Sequence, residues 1–105
     1  GGKASRYTYE FLTYLREQYE HIRRSNSKKK NKRPFILRKS WEEIAITLRM
    51  PESMYKANRK RALKMIQASY STAIKLGYLL KVENNGAVDV LYLNEAYYPK
   101  PGELV

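Results

Sequence analysis

The sequence predicts a small α+β fold in which three helices carry a small antiparallel sheet, in the order helix, strand, helix, helix, strand, strand. Three observations predict it. Apolar residues recur at three- and four-residue spacing over residues 7–24 and again over the stretch that ends at Leu76, which is helical periodicity. Ser40-Trp41-Glu42-Glu43 has the form of a helix start. Two short β-type stretches, 78–83 and 88–94, flank Asn84-Asn85-Gly86, a hairpin signal. At 105 residues the chain has the size of one domain. A domain of that size buries roughly 60–70% of its unfolded surface, enough for a single core. The domain is expected over residues 3–98. Gly1 and Gly2 read as the remnant of a cleaved tag on a piece of a longer protein, and residues 99–105 as a loose tail.

In the first helix, Phe11, Leu12, Leu15, Tyr19 and Ile22 gather on one face, and no Gly or Pro interrupts them. Residues 25–34 break the pattern with Ser, Asn and cations and read as an exposed, mobile loop. Phe35-Ile36-Leu37 forms a short apolar run after Pro34 and is expected to be a strand. The capping box starts the next helix at Trp41, with the Ser40 side chain on the Glu43 amide and the Glu43 carboxylate on the Ser40 amide. Ile44, Ala45 and Leu48 give this helix a core face, and Met50-Pro51 ends it. A long helix is expected from Pro51–Ser53 to Leu76, with Ala62, Leu63, Ile66, Tyr70, Ala73 and Ile74 buried and Gly77 as its left-handed stop. For the hairpin, a three-residue loop with Gly86 left-handed sets Val82 against Val88, Leu80 against Val90 and Lys81 against Asp89. That register places aliphatic pairs on one face and an ion pair on the other. Tyr97 and Tyr98 are expected to fold back on the body.

Composition excludes whole classes of chemistry. With no Cys there is no disulfide, thiolate zinc site or thiol nucleophile, and a reducing compartment is expected. A single His removes His-pair metal sites, and His21 reads as a surface or half-buried helix residue. Glu42 and Glu43 diverge as helix neighbours, so Glu43 reads as a cap. Ten Tyr raise the idea of a DNA-cleaving tyrosine, but the Arg, His and acid cluster such chemistry needs is missing. No catalytic, cofactor-binding or metal-ligating residues are therefore expected, and no small-molecule substrate. A 43% hydrophobic content argues against a disordered chain, and no apolar run reaches the roughly 20 residues of a membrane span.

What remains is charge. The chain holds 21 Lys plus Arg against 10 Asp plus Glu, a formal net charge of +11. Residues 23–39 carry nine cations (Arg23, Arg24, Lys28, Lys29, Lys30, Lys32, Arg33, Arg38 and Lys39) and no acid. Residues 56–64 carry five (Lys56, Arg59, Lys60, Arg61 and Lys64), again with no acid. Together these hold 14 of the 21 cations, so the charge is segregated along the chain and a polyanion is the expected partner. With Ile66 facing the core of a helix that advances about 100° per residue, Ala57, Lys60, Arg61, Lys64, Ala68 and Ser71 point outward, joined by Ser53. Small residues let a helix approach base edges, Lys and Arg reach phosphate or guanine, and Asn58 is placed to read adenine. Arg59 falls toward the core, either overhanging it or paired with Glu42 or Glu43. The basic loop (Lys28, Lys29, Lys30, Lys32, Arg33) and Lys39 are expected to hold a neighbouring phosphate backbone. Asn84 and Asn85 at the hairpin tip are weaker candidates, since turn geometry explains them equally well.

The element order over residues 7–94 resembles a winged helix, a helix-turn-helix followed by a hairpin "wing". More narrowly, Tyr14, Ser40, Trp41, Glu43, Arg59 and Arg61 look like positions of the winged-helix domains of plasmid or mobile-element replication initiators. That resemblance implies a non-enzymatic domain that binds short repeated double-stranded DNA at a replication origin, or one that controls transcription. It also implies a cytoplasmic, nucleoid- or plasmid-associated location. A second expectation is a protein-docking module of a replication or transfer complex. There Tyr9, Tyr97 and Tyr98 would mediate contacts, with a homodimer or partner bound through the first helix. Structured RNA is a third.

Overall fold

A computed structural model describes residues 6–96. The chain forms α1 (Arg6–Ser27), β1 (Ile36–Lys39), α2 (Trp41–Thr47), α3 (Glu52–Tyr55), α4 (Arg59–Lys75), β2 (Leu79–Asn85) and β3 (Val88–Leu93). The three strands make one antiparallel sheet in the order β1-β3-β2. This is a small α+β domain. Among the described residues no helix is long and apolar enough to cross a membrane. Tyr97, Tyr98 and the expected tail lie outside the described residues.

One core joins the layers. Phe11, Leu15 and Ile22 from α1 meet Ile44 and Leu48 from α2 and its end, Ile66 from α4, and Leu79 and Leu91 from the sheet, all almost fully buried. The face of α1 that periodicity predicts is the face that is buried. In α4, Ala62, Ile66, Tyr70 and Ala73 point inward as expected, but Ile74 is 40% exposed. Ser69 is fully buried instead. It is acceptable there because its hydroxyl bonds the Met65 carbonyl at 3.1 Å and pairs with Thr8 Oγ1 at 3.2 Å.

Several boundaries differ from the sequence reading, each for a physical reason. α1 runs to Ser27, which shortens the basic loop. Buried Asn26 fastens that loop: its Nδ2 donates to the Arg33 carbonyl at 3.0 Å, and its Oδ1 accepts from the Arg33 amide at 2.8 Å. The expected single helix from Pro51 to Leu76 is two. α3 stops at Tyr55, Lys56 and Ala57 turn, and Asn58 caps α4 at φ −131° and ψ 60°. On one continuous helix Met54 would point away from Ile66. The break lets Met54 pack against the core beside Tyr55, which a continuous helix would already turn inward.

The two long-range ends are well defined. α2 closes with the Met50 amide on the Ala45 carbonyl and the Arg49 amide on the Ile46 carbonyl, both 3.0 Å, and α4 closes the same way through Gly77 and Tyr78. Gly77 has φ +88° as expected, but the equivalent residue of α2 is Arg49, at φ +60°. The capping box forms with one change. Ser40 Oγ accepts from the Glu43 amide at 3.2 Å, while the Glu43 carboxylate takes the Ser40 hydroxyl at 3.3 Å rather than the Ser40 amide.

The hairpin register also differs. β2 continues through Asn85, and the turn is Gly86-Ala87, with the positive φ of +67° on Gly86, the first central position. Two-residue turns of that kind follow the twist of the flanking strands. Asn84 therefore faces Asp89, Val82 faces Leu91 and Lys81 faces Tyr92. Leu80 falls in an irregularity between Leu79 and Lys81 and stands 62% exposed, not opposite Val90. The observed register lets Asp89 accept from two donors, Tyr70 Oη at 2.8 Å and Asn84 Nδ2 at 2.9 Å. The expected Lys81–Asp89 ion pair would forgo both.

Candidate nucleic-acid interface

α4 presents its polar side to solvent because the stripe opposite is consumed by the core. Lys60, Arg61, Lys64, Gln67, Ala68 and Ser71 are exposed. Asn58, Lys60, Arg61 and Lys64 line one shallow depression with Met65 and Ala68. Lys60, Arg61 and Lys64 take part in no ion pair among the described residues. Asn58 makes no side-chain cap bond, so its amide faces outward with its hydrogen-bonding capacity unspent. The break between α3 and α4 takes Ser53, Lys56 and Ala57 off this helix. All three are exposed, and Lys56 faces Glu52 at 3.5 Å across one turn.

A cleft runs between α4 and the hairpin, lined by Trp41, Arg59, Gln67, Tyr70, Asn84 and Asp89 among others. The alternatives for Arg59 resolve here. Its guanidinium sits 5.2 Å from the centroid of the half-buried Trp41 ring, a cation–π contact, and it makes no ion pair with Glu42 or Glu43. Burial, then the hydrogen bond to Asp89, hold the Tyr70 phenol far above its ordinary value. Asp89 is fully occupied on both oxygens, so it is a brace between helix and hairpin. Asn84 spends its amide on that brace. Asn85 is exposed at the end of β2.

The second cationic window is placed differently. Lys28, Lys29, Lys30, Lys32 and Arg33 are all exposed on the loop between α1 and β1. Lys32 and Arg33 border another depression, which includes Phe35, Ile36, Leu80 and Tyr92. β1 separates the two windows: Ile36 pairs with Tyr92 at the loop end, and Lys39 pairs with Asp89 at the end where Trp41 and Arg59 meet. The structure thus gathers the α4 cations and sets the loop cations at the other end of the sheet. Lys39 pairs with Glu43 at 3.7 Å.

Two residues were missed by sequence reasoning. Gln67 lies beside the core stripe of α4, and only the placement of the hairpin turns that flank into a cleft wall. Arg49 is exposed in the helix-to-helix turn in a conformation that favours glycine, and nothing in the local sequence announces it. His21 is exposed. Among the described residues no group of three or more His, Cys, Asp or Glu is placed to hold a metal ion. Comparison with protein-family models, with curated proteins and with solved structures gave no match to this chain.

Proposed function

We propose that this domain is a winged helix that binds double-stranded DNA, with α4 entering the major groove and the β2–β3 hairpin as its wing. The observation that carries the reading is the exposed side of α4. Asn58, Lys60, Arg61 and Lys64 share one depression, free of ion pairs and of acids. Ala68 and Ser71 keep that side low enough for close approach. Lys64 and Lys60 would contact phosphate, while Arg61 and Asn58 are the residues chemically suited to guanine and adenine edges. The sheet order β1-β3-β2, with β1 before α2 and the β2–β3 hairpin after α4, supports the winged-helix reading. On the resemblance to replication initiators, the site would be a short repeat at an origin or operator.

Phosphate contacts release counterions, so affinity should fall steeply with salt. Duplex binding measured across a salt series tests the reading. Lys64→Ala is expected to lower the slope of log K against log salt by about 1, uniformly across sequences. No duplex binding at low salt would overturn the reading. A protein-docking role has one observation in its favour: Tyr9 and Ile46 stand 63% and 61% exposed. If Tyr9→Ser abolished complex assembly while charge reversal at Lys60 and Arg61 left DNA retention intact, docking would be the function.

A further inference from the structure

The basic loop adjoins a depression that is partly apolar and aromatic. Lys28, Lys29, Lys30, Lys32 and Arg33 carry no ion pair among the described residues. The loop does not hang free, because Asn26 clamps the Arg33 backbone by two hydrogen bonds. The clamp delivers Arg33 and Lys32 to the rim of a depression whose floor is Phe35, Ile36, Leu80 and Tyr92. Phe35 is itself held by the Tyr19 ring, with centroids 5.0 Å apart. Lys81 Nζ lies 4.7 Å from the centroid of the Tyr92 ring and 3.0 Å from Glu83 Oε1. One acid, Glu95, lines the depression, against five loop cations. A border in which cations outnumber acids suits a polyanion. An apolar, partly aromatic floor demands a partner with planar apolar faces. Double-stranded DNA keeps its base faces stacked inside, so the floor gains nothing from it. An unpaired strand offers both phosphates and base faces.

We propose that the loop Lys28–Arg33 and the depression formed by Phe35, Ile36, Leu80 and Tyr92 are a binding surface for single-stranded nucleic acid, distinct from the α4 surface. Phosphates run along the loop cations, and one or two bases lie on the floor. The proposal does not rest on the duplex-binding reading, since the two depressions share no lining residue.

The test uses the full chain and three labelled probes at low salt: a 20-mer of oligo(dT), an abasic oligomer of equal length and a 20-base-pair duplex. Two variants address the surface, Leu80→Glu and the triple reversal K29E/K30E/K32E. All four residues are exposed, so both variants should keep the native circular dichroism and melting profile. The expected result is a loss of about tenfold or more in oligo(dT) affinity for each, with duplex affinity changed less than threefold by Leu80→Glu and lowered much less than oligo(dT) affinity by the triple reversal. The abasic oligomer should bind the wild type at least tenfold more weakly than oligo(dT). K60E/R61E should show the reverse pattern, weak duplex and intact oligo(dT) binding. Equal affinity for abasic and base-bearing strands would overturn the proposal, because the floor would then read nothing. So would an equal loss of duplex and single-strand binding in the loop variant, which would make the loop part of the α4 surface. Absence of oligo(dT) binding by the wild type would also end it, and would leave the α4 reading to stand or fall on the duplex probe.

Discussion

At the scale of single residues, Asp89, Tyr70 and Asn26 show how polar groups are afforded inside so small a core. Asp89 accepts from Tyr70 and Asn84 and so ties α4 to the hairpin. The Tyr70 phenol is raised by burial first and by Asp89 second. A phenol raised in the folded state stabilises the fold fully below its unfolded value, near 10. Above that pH the unfolded chain ionises and the folded phenol does not, so stability falls. Melting temperatures measured from about pH 8 to 11.5 should hold level and then decline above about pH 10. Tyr70→Phe should decline less steeply, having lost the titrating group, and should cost about 1–2 kcal/mol at neutral pH through the missing hydrogen bond to a carboxylate. An equally steep decline in the variant would show that Tyr70 does not set it. Asn26 is the second case. Asn26→Ala leaves the Arg33 amide and carbonyl without partners, and urea unfolding should show a loss of about 1–3 kcal/mol.

At the scale of elements, the ends of the helices carry the information. Gly77 ends α4 at φ +88°, and its role is legible because glycine alone adopts that conformation without cost. Arg49 ends α2 in the same motif at φ +60° and pays for its Cβ. Arg49→Gly should therefore raise stability in urea by about 0.5–1 kcal/mol, the relief of strain being offset in part by glycine's unfolded-state entropy. A loss of stability would mean that the Arg49 side chain makes a contribution larger than the strain. The break between α3 and α4 belongs to this scale as well. Nothing in Tyr55-Lys56-Ala57-Asn58 forbids a helix, and the break is what turns Met54 toward the core. Ser53 and Ala57, expected on one face with Lys60 and Lys64, therefore sit off α4, Ser53 in α3 and Ala57 in the turn after it.

At the scale of the whole molecule, the sheet separates the two cationic windows that composition alone would merge into one basic surface. Trp41, the only tryptophan, lies under Arg59 at the α4 end, away from the basic loop. On the proposed function, duplex binding should shift or quench Trp41 emission, whereas oligo(dT) should leave it nearly unchanged. Titration of each probe against intrinsic fluorescence checks this. A duplex that binds tightly and leaves Trp41 silent would place it away from the N-terminal end of α4.

The sequence by itself determined the α+β class, the three strands and the first two helices in their order, the buried stripe of α1, the part of the α4 stripe formed by Ala62, Ile66, Tyr70 and Ala73, and the exposed cationic side of α4. These depend on local periodicity and on caps such as Ser40 and Gly77, whose physical causes lie within a few residues. Tertiary structure alone decided the split of the long helix, the Gly86-Ala87 turn with Asn84 against Asp89, the seat of Arg59 on Trp41, and the placing of Lys32 and Lys60 on different depressions. Each of these balances local preference against a contact made with a residue far away in the chain. That contact energy exists only once the partner has been brought into place.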